Sequence, residues 1–424
     1  LTWSKVPDVP EAHRSLYAYL NTVMEPWDGP AALAVYDGRC VAAGMDRNGL
    51  RPMRYAITGD GLLVVGSEAG MVPITDQEVV QKGRVGPGEI LGVDLQEGRL
   101  YHDRALKDKL AGEHDYASWV GKTTRLNSLI DQVPVPQPRF TADELRRRQL
   151  AVGLTIEDLE LILHPMVEEG KEAVGSMGDD APIAVLSSHY RGLHNFFRQE
   201  FSQVTNPPID PLREEMVMTL DTRLGNLSNV FAHDESQMKI LLLDSPVVTN
   251  RAYAAMRRYM KDRAVEIDCT MSAEGGEGVL KKALERIRRE AEDAVRGGAE
   301  HVILTDERMD DANVAVPMIL AAGGVHTHLV RQKLRTFCAV NIRSAECLDV
   351  HYMAVLIGVG ATTVNAYLAE EAIYDRHRRG LFGEMSLDQA LENFKHAADL
   401  GLLKVLSKMG ISVISSYRGA YNFE

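Results

Sequence analysis

Apolar residues alternate in short runs between residues 30 and 101. Ala31 to Tyr36 and Arg39 to Ala43 flank Asp37-Gly38, a hairpin turn signal. Tyr55 to Thr58 and Leu62 to Val65 flank Gly59-Asp60-Gly61, and Glu89 to Leu95 and Arg99 to Tyr101 flank Gln96-Glu97-Gly98. Three hairpins so close together predict an antiparallel sheet layer that needs a further layer to pack on. A charged helical stretch is expected near residues 103–131. Prolines at 134, 136 and 138 then break the periodicity and mark a domain boundary. Thr141 to Glu144 has capping-box spacing, and Thr155 to Asp158 has a similar acidic start. Two helices are expected there, the second carrying Leu159, Ile162, Leu163 and Met166 on one face.

From about residue 264 the rhythm becomes alternating strand and helix. Val265 to Cys269, Val302 to Leu304, Phe337 to Ile342 and Thr363 to Tyr367 read as strands. Leu280 to Val295, Val314 to Ala322 and Leu348 to Ile357 read as helices, and another runs through Ile373. This order argues for a parallel sheet with helical crossovers. The fold class is therefore α/β and α+β: an antiparallel sheet-rich part, then parallel βα units that resemble part of a βα barrel or an open sheet.

The chain has 424 residues, enough for two or three domains. Lys plus Arg number 47 against 60 Asp plus Glu, a formal charge of −13. That balance disfavours nucleic acid and anionic membrane surfaces as partners. No apolar run is long enough to span a membrane. Cys40, Cys269, Cys338 and Cys347 are scattered, without C-x-x-C, which points to reduced thiols in a cytoplasmic protein rather than disulfides or an iron–sulfur cluster. The start, Leu1-Thr2-Trp3, has neither an initiator Met nor a signal-peptide pattern, so the chain is expected to begin inside a longer protein.

Four stretches carry a resemblance. The first is Met24-Glu25-Pro26-Trp27-Asp28-Gly29-Pro30, followed by Gly44 to Pro52 and Gly66-Ser67-Glu68. The others are Gly175-Ser176-Met177-Gly178-Asp179-Asp180, then Gln203-Val204-Thr205-Asn206-Pro207-Pro208-Ile209-Asp210, then Ser407 to Ser412 running into Ser416-Tyr417-Arg418-Gly419. In this order they resemble glutamate synthase large subunits. The resemblance implies that residues 1–122 are the C-terminal part of a class II, Ntn-type glutamine amidotransferase domain. It implies that residues 123–424 are most of the central domain, ahead of the FMN-binding domain.

By the same resemblance, the whole enzyme makes L-glutamate from glutamine-derived ammonia and 2-oxoglutarate, with electrons from NADPH. FMN and a 3Fe-4S cluster would sit elsewhere in the large subunit, and FAD, 4Fe-4S clusters and NADPH on a small subunit. The other large-subunit domains and the small subunit are the implied partners. The family's nucleophilic cysteine and its glutamine-binding and oxyanion residues lie upstream, and its flavin and cluster ligands lie downstream. None maps onto this chain, so alone it is expected to be inactive and to bind no cofactor. The sheet of residues 1–122 is expected to expose a face and to promote association.

The resemblance further implies that Thr205 and Asn206 lie at the mouth of an ammonia tunnel. Two prolines stiffen the turn and leave Thr, Asn and backbone carbonyls free to face a polar cavity. A plain turn between helices is the competing reading. Arg47, Asn48 and Arg51 form a turn that either couples the two sites or is merely rigid, with Arg51 salt-bridged nearby. Asp179 and Asp180 have too few further ligands for a metal and read as a buried hydrogen-bonding loop. His326-Thr327-His328 would put both rings on one face of a strand, but no third ligand follows. Gly358-Val359-Gly360 lacks the third glycine of a dinucleotide loop and precedes a strand. Arg376 to Arg379 reads as a solvated helix end. Two alternatives stand beside the main reading: a non-catalytic interaction module, and a flavin- or phosphate-binding βα domain.

Overall fold

The Asp37-Gly38 turn does what its sequence predicts. Asp37 accepts the amide N–H groups of Arg39 (2.8 Å) and Cys40 (2.6 Å), and Gly38 takes φ +99°. Strand β1 (Ala32–Tyr36) therefore folds back on β2 (Cys40–Met45), with Tyr36 opposite Val41. The other expected hairpins form as β3 (Arg54–Thr58) with β4 (Leu63–Gly66), and β6 (Ile90–Asp94) with β7 (Arg99–Tyr101). An unexpected strand, β5 (Val79–Arg84), pairs with the other edge of β3. The two sheets run β1-β2-β6-β7 and β4-β3-β5. Leu33 and Val35 on β1 stay 48% and 59% exposed, as expected of an uncovered sheet face.

The computed structural model describes residues 6–26, 29–46, 48–173, 175, 177–179, 181–182, 184–188, 191–201 and 208–424. Helix α1 (Glu11–Val23), which the apolar pattern did not suggest, packs on α2 (Asp103–Ala111) and α3 (Tyr116–Val120). Its Tyr19 is buried against the rings of Tyr116, Trp119 and His233, with centroids 5.2–5.3 Å apart. The Tyr19 hydroxyl bonds to Gln237, and that of Tyr116 to His233 Nε2 at 3.1 Å. This aromatic knot ties the N-terminal sheets to the rest of the chain.

Beyond it, β8 (Thr124–Arg125) runs parallel to β10 (Leu241–Leu243), whose other edge takes β9 (Thr222–Leu224). Thr141 caps α4 (Ala142–Ala151) with half a capping box, because Glu144 turns to Arg148 instead of reaching back. The complete box is the next one. Asp158 accepts the Thr155 N–H at 2.7 Å, and Thr155 Oγ1 accepts the Asp158 N–H at 3.2 Å. That helix passes through a π turn at Leu159–Leu163 and continues over His164–Glu168, burying Leu163 and Met166 completely.

Four parallel strands form the central sheet in chain order: β11 (Ala264–Asp268), β13 (His301–Thr305), β15 (Ala339–Arg343) and β16 (Thr363–Asn365). The order is that of an arc of a βα barrel. Helix α5 (Asn250–Met260) precedes it, and α6 (Val279–Arg296) buries Ala283, Ile287, Ala291 and Val295 as the periodicity predicts. One expected helix is corrected. Val314 lies in strand β14 (Asn313–Ala315), paired with β12 (Thr270–Ser272), and helix α7 begins only at Met318 and ends at Arg331. Pro317 explains the shift, since the residue before a proline avoids the helical region.

All of β13, β15 and α8 (Val350–Gly358) is buried. Helix α9 (Tyr367–Arg378) follows, and α10 (Leu387–Met409) closes the core. Gly401 of α10 is there for close approach, because a Cβ would come within 2.4 Å of Val350. Each fully buried Leu, Val or Ile here contributes about 1.5–3 kcal/mol of hydrophobic stabilisation. No helix of the described residues is long and apolar enough to cross a membrane.

Candidate functional site

Thr205 and Asn206 lie outside the described residues, as do Arg47 and Asp180. The chain on both sides of residues 202–207 is clamped. Upstream, the Gln199 N–H donates to Met177 O at 2.8 Å, and Gly178 bridges to Arg198. Arg198 and Glu424 exchange two backbone hydrogen bonds of 2.9 Å. Downstream, the Ile209 N–H donates to Ser407 O at 3.0 Å. Gly178 has φ +100°, and a Cβ there would meet the Phe197 carbonyl at 2.7 Å, so only glycine allows the approach.

The Gln199 side chain is the centre of this clamp. It is 4% exposed, with Tyr417 at 0% and His351 at 6%. Tyr417 donates its hydroxyl to Gln199 Oε1 at 2.6 Å. His351 Nε2 lies 3.0 Å from the carbonyls of His194 and Phe197, which can only accept, so Nε2 carries the proton. Nδ1 is then the acceptor, facing Gln199 Nε2 at 3.5 Å. Three stretches thus meet at one polar cluster: Met177 and Gly178, the approach to residues 203–210, and the helix Ile414–Tyr417. Each group is satisfied by a neighbour, which makes the cluster a rigid anchor and not an acid–base pair.

Ligands of parallel βα sheets sit at the C-terminal strand ends. Here the protein fills that place itself. Arg343 at the end of β15 donates from Nη2 to Glu307 Oε1 at 2.9 Å, and its Nε lies 2.9 Å from Oε2. Nη1 donates to Asn250 Oδ1 at 2.9 Å and also to Asn365. The Tyr253 and Tyr367 rings stack on the guanidinium, with centroids 4.5 and 4.9 Å away. Arg139 also donates to Glu307 Oε1. A flavin phosphate would have to displace Glu307, and these residues do not fit one.

The glycines of Gly358-Val359-Gly360 also have packing partners. A Cβ on Gly358 would strike Phe423 at 2.3 Å, and one on Gly360 would strike His326 at 2.2 Å.

The remaining candidates are dispersed. Asn48 stands exposed in a turn held by Asp46, which accepts the Asn48 N–H at 2.8 Å and the Ala31 N–H at 3.3 Å. The turn borders a 710 Å³ cavity against Leu33, Val35 and Tyr17. Arg51 is exposed and, among the described residues, has no ion pair, so the nearby salt bridge of the rigid-turn reading does not form. Asp179 is exposed rather than buried. It accepts the Ala181 N–H at 2.8 Å and pairs with Arg191 at 2.5 Å, and both lower its pKa.

His326 and His328 sit on helix α7, not a strand, and turn apart. His328 meets Glu292 at 2.6 Å, while His326 Nδ1 accepts from Arg335. Arg376 departs from the expected solvated end. It is 5% exposed and makes two 3.0 Å bonds to Glu160, whereas Arg378 and Arg379 reach Asp375 at the surface. Cys269, Cys338 and Cys347 are buried free thiols.

A family model described as "Glutamate synthase central domain" matches residues 147–424, and one described as "Glutamine amidotransferases class-II" matches residues 1–119. The chain belongs to the glutamate synthase family. It is 64% identical to the glutamate synthase [NADPH] large chain of Azospirillum brasilense, over 98% of this chain and 28% of that protein. Identity to the Bacillus subtilis NADPH large chain is 36%, over 100% of this chain and 27% of that one. To the chloroplastic ferredoxin-dependent glutamate synthase 2 of Arabidopsis thaliana it is 38%, over 96% and 26%. The chain thus spans 26–28% of the length of these relatives. A flavocytochrome b2 structure with sulfite bound aligns over 32% of this chain and 33% of its own at a TM-score of 0.26 and 11% identity, too weak a likeness to define the sheet.

The family resemblance carried by the four motif stretches is therefore correct. The glutamate synthase motifs led to residues 203–210 but not to Gln199 or His351, which lie outside every quoted motif. Their one sequence signal is a polar residue set in an otherwise apolar stretch, as His351 is in Val350–Gly358.

Proposed function

We propose that this chain is the part of a glutamate synthase large chain that joins the glutamine amidotransferase to the synthase domain, with Thr205 and Asn206 on the path that ammonia takes between them. Residues 1–122 would be the amidotransferase part and 123–424 the central part. The pairing of β8 with β10, which draws the chain from residue 124 into the central core, supports that division. In the complete protein, ammonia from glutamine would add to 2-oxoglutarate to give L-glutamate. FMN and a 3Fe-4S cluster elsewhere in the large chain, and FAD, 4Fe-4S clusters and NADPH on a small subunit, would supply the electrons. The setting proposed for this assembly is the cytoplasm.

The observation that carries this reading is the buried Gln199–Tyr417–His351 cluster at the threshold of residues 202–207. Ammonia stays nucleophilic only while unprotonated. A path for it is best held away from acids, and this anchor contains no carboxylate, lysine or arginine side chain. Thr205→Val in the complete enzyme tests the reading. We expect more glutamine hydrolysed per glutamate formed, at near-normal glutaminase activity. An unchanged stoichiometry would refute the role of Thr205.

The exposed Leu33 and Val35 favour one addition, that the β1–β2 face docks against another protein surface. The flavin-binding alternative has no support at the strand ends, where Arg343 and Glu307 occupy the ligand position.

A further inference from the structure

A second cavity, of 360 Å³, opens where the C-terminal end of α1 meets β9, the Arg335 turn and the helix Ile414–Tyr417. Three arginines line it: Arg223, Arg335 and Arg418. Arg335 spends its donors on neutral acceptors. They are His326 Nδ1 (3.1 Å), Cys338 O (2.6 Å), Gly360 O (2.9 Å) and Thr362 Oγ1 (3.2 Å). Its charge is therefore positioned but not neutralised.

The side chains of Arg223 and Arg418, which line the cavity, make no hydrogen bond or ion pair among the described residues. Glu25 and Asp221 also line it; Glu25 attracts both and Asp221 attracts Arg223, yet neither comes within ion-pair distance. Burial and the neighbouring charge of Arg335 lower the Arg418 pKa to about 10. His326 is held neutral, its pKa lowered to about 4 by burial and then by Arg335 and Arg418. With Nδ1 accepting from Arg335, its Nε2–H remains a donor.

Buried guanidinium groups that no carboxylate contacts directly are costly, and their planar forks match the oxygens of phosphate and carboxylate. We propose that this cavity binds a small oxyanion, a phosphate or carboxylate, gripped by Arg223 and Arg418 and further attracted by the charge of Arg335. Nothing in the ammonia path requires such a ligand. Its position between the N-terminal helix and the central core suits an anion that fastens the two together.

Calorimetric titration of the intact polypeptide with inorganic phosphate, at ionic strength fixed with chloride, tests this. A parallel titration uses glutarate, and saturable uptake of either anion at one site per chain supports the proposal. Arg418→Gln and Arg223→Gln should each weaken that uptake by about tenfold or more, the loss expected for a charge-assisted hydrogen bond. No saturable uptake of either anion would overturn it, as would an affinity unchanged by both substitutions. Should the variants fail to fold, the wild-type protein still decides. Its melting temperature must rise with phosphate or glutarate beyond the rise given by chloride at equal ionic strength, and no such rise overturns the proposal.

Discussion

Glu370 shows what burial does to one carboxyl. It is 2% exposed on α9, its Oε1 accepts the Asn250 N–H at 2.7 Å, and its Oε2 has no partner. Burial raises its pKa to about 8, against an ordinary value of 4.5, although the Asn250 amide and Arg343 pull it back. Between these two values the folded chain holds a proton that the unfolded chain has released. Stability therefore falls as pH rises from the lower value through the upper one, and is level outside that window. Glu370→Gln removes the titration. Melting curves at about pH 5 and about pH 8.5 should show the variant gaining on the wild type at the higher pH. An equal difference at both would contradict the assignment. Single residues were unevenly legible in the sequence. The Asp37-Gly38 turn was plain, because its chemistry is local. Arg376 was misread, because nothing in its own helix signals Glu160, 216 residues away.

Elements were most legible where periodicity is strong. Helix α6 and strand β13 follow their apolar patterns closely. Strand β5 escaped because Val-Val-Gln-Lys-Gly-Arg has only two apolar residues, and α1 because its buried positions include His13, Ser15 and Thr22. The two capping signals also differ in strength. Thr155 completes a reciprocal box, while Thr141 loses its partner to Arg148. Thr155→Ala should cost about 1 kcal/mol in chemical denaturation, and Thr141→Ala less. The reverse order would show that the box at Thr155 contributes nothing beyond a single cap.

At the scale of the whole molecule, contacts distant in sequence decide the arrangement. Tyr19 meets Gln237 across 218 residues, Tyr417 meets Gln199 across 218, and His351 meets Gln199 across 152. No periodicity or motif spacing reports such pairs. That is why the family was readable from four stretches of sequence while the anchor beneath one of them was not. The contacts of Gln199, with the separate bond from the Ile209 N–H to Ser407 O, hold the described chain on either side of the candidate segment, and this clamp is the physical basis of the proposed ammonia path.

Gln199→Leu puts that basis to its most direct test. The variant keeps the side-chain bulk but strands the Tyr417 hydroxyl and His351 Nδ1. The complete enzyme is given glutamine carrying heavy nitrogen in its amide, with unlabelled ammonium in the surrounding solution. Wild-type glutamate should carry the label undiluted, whereas Gln199→Leu should incorporate unlabelled nitrogen while still hydrolysing glutamine. Undiluted label in the variant, at an undiminished rate of glutamate formation, would contradict the account.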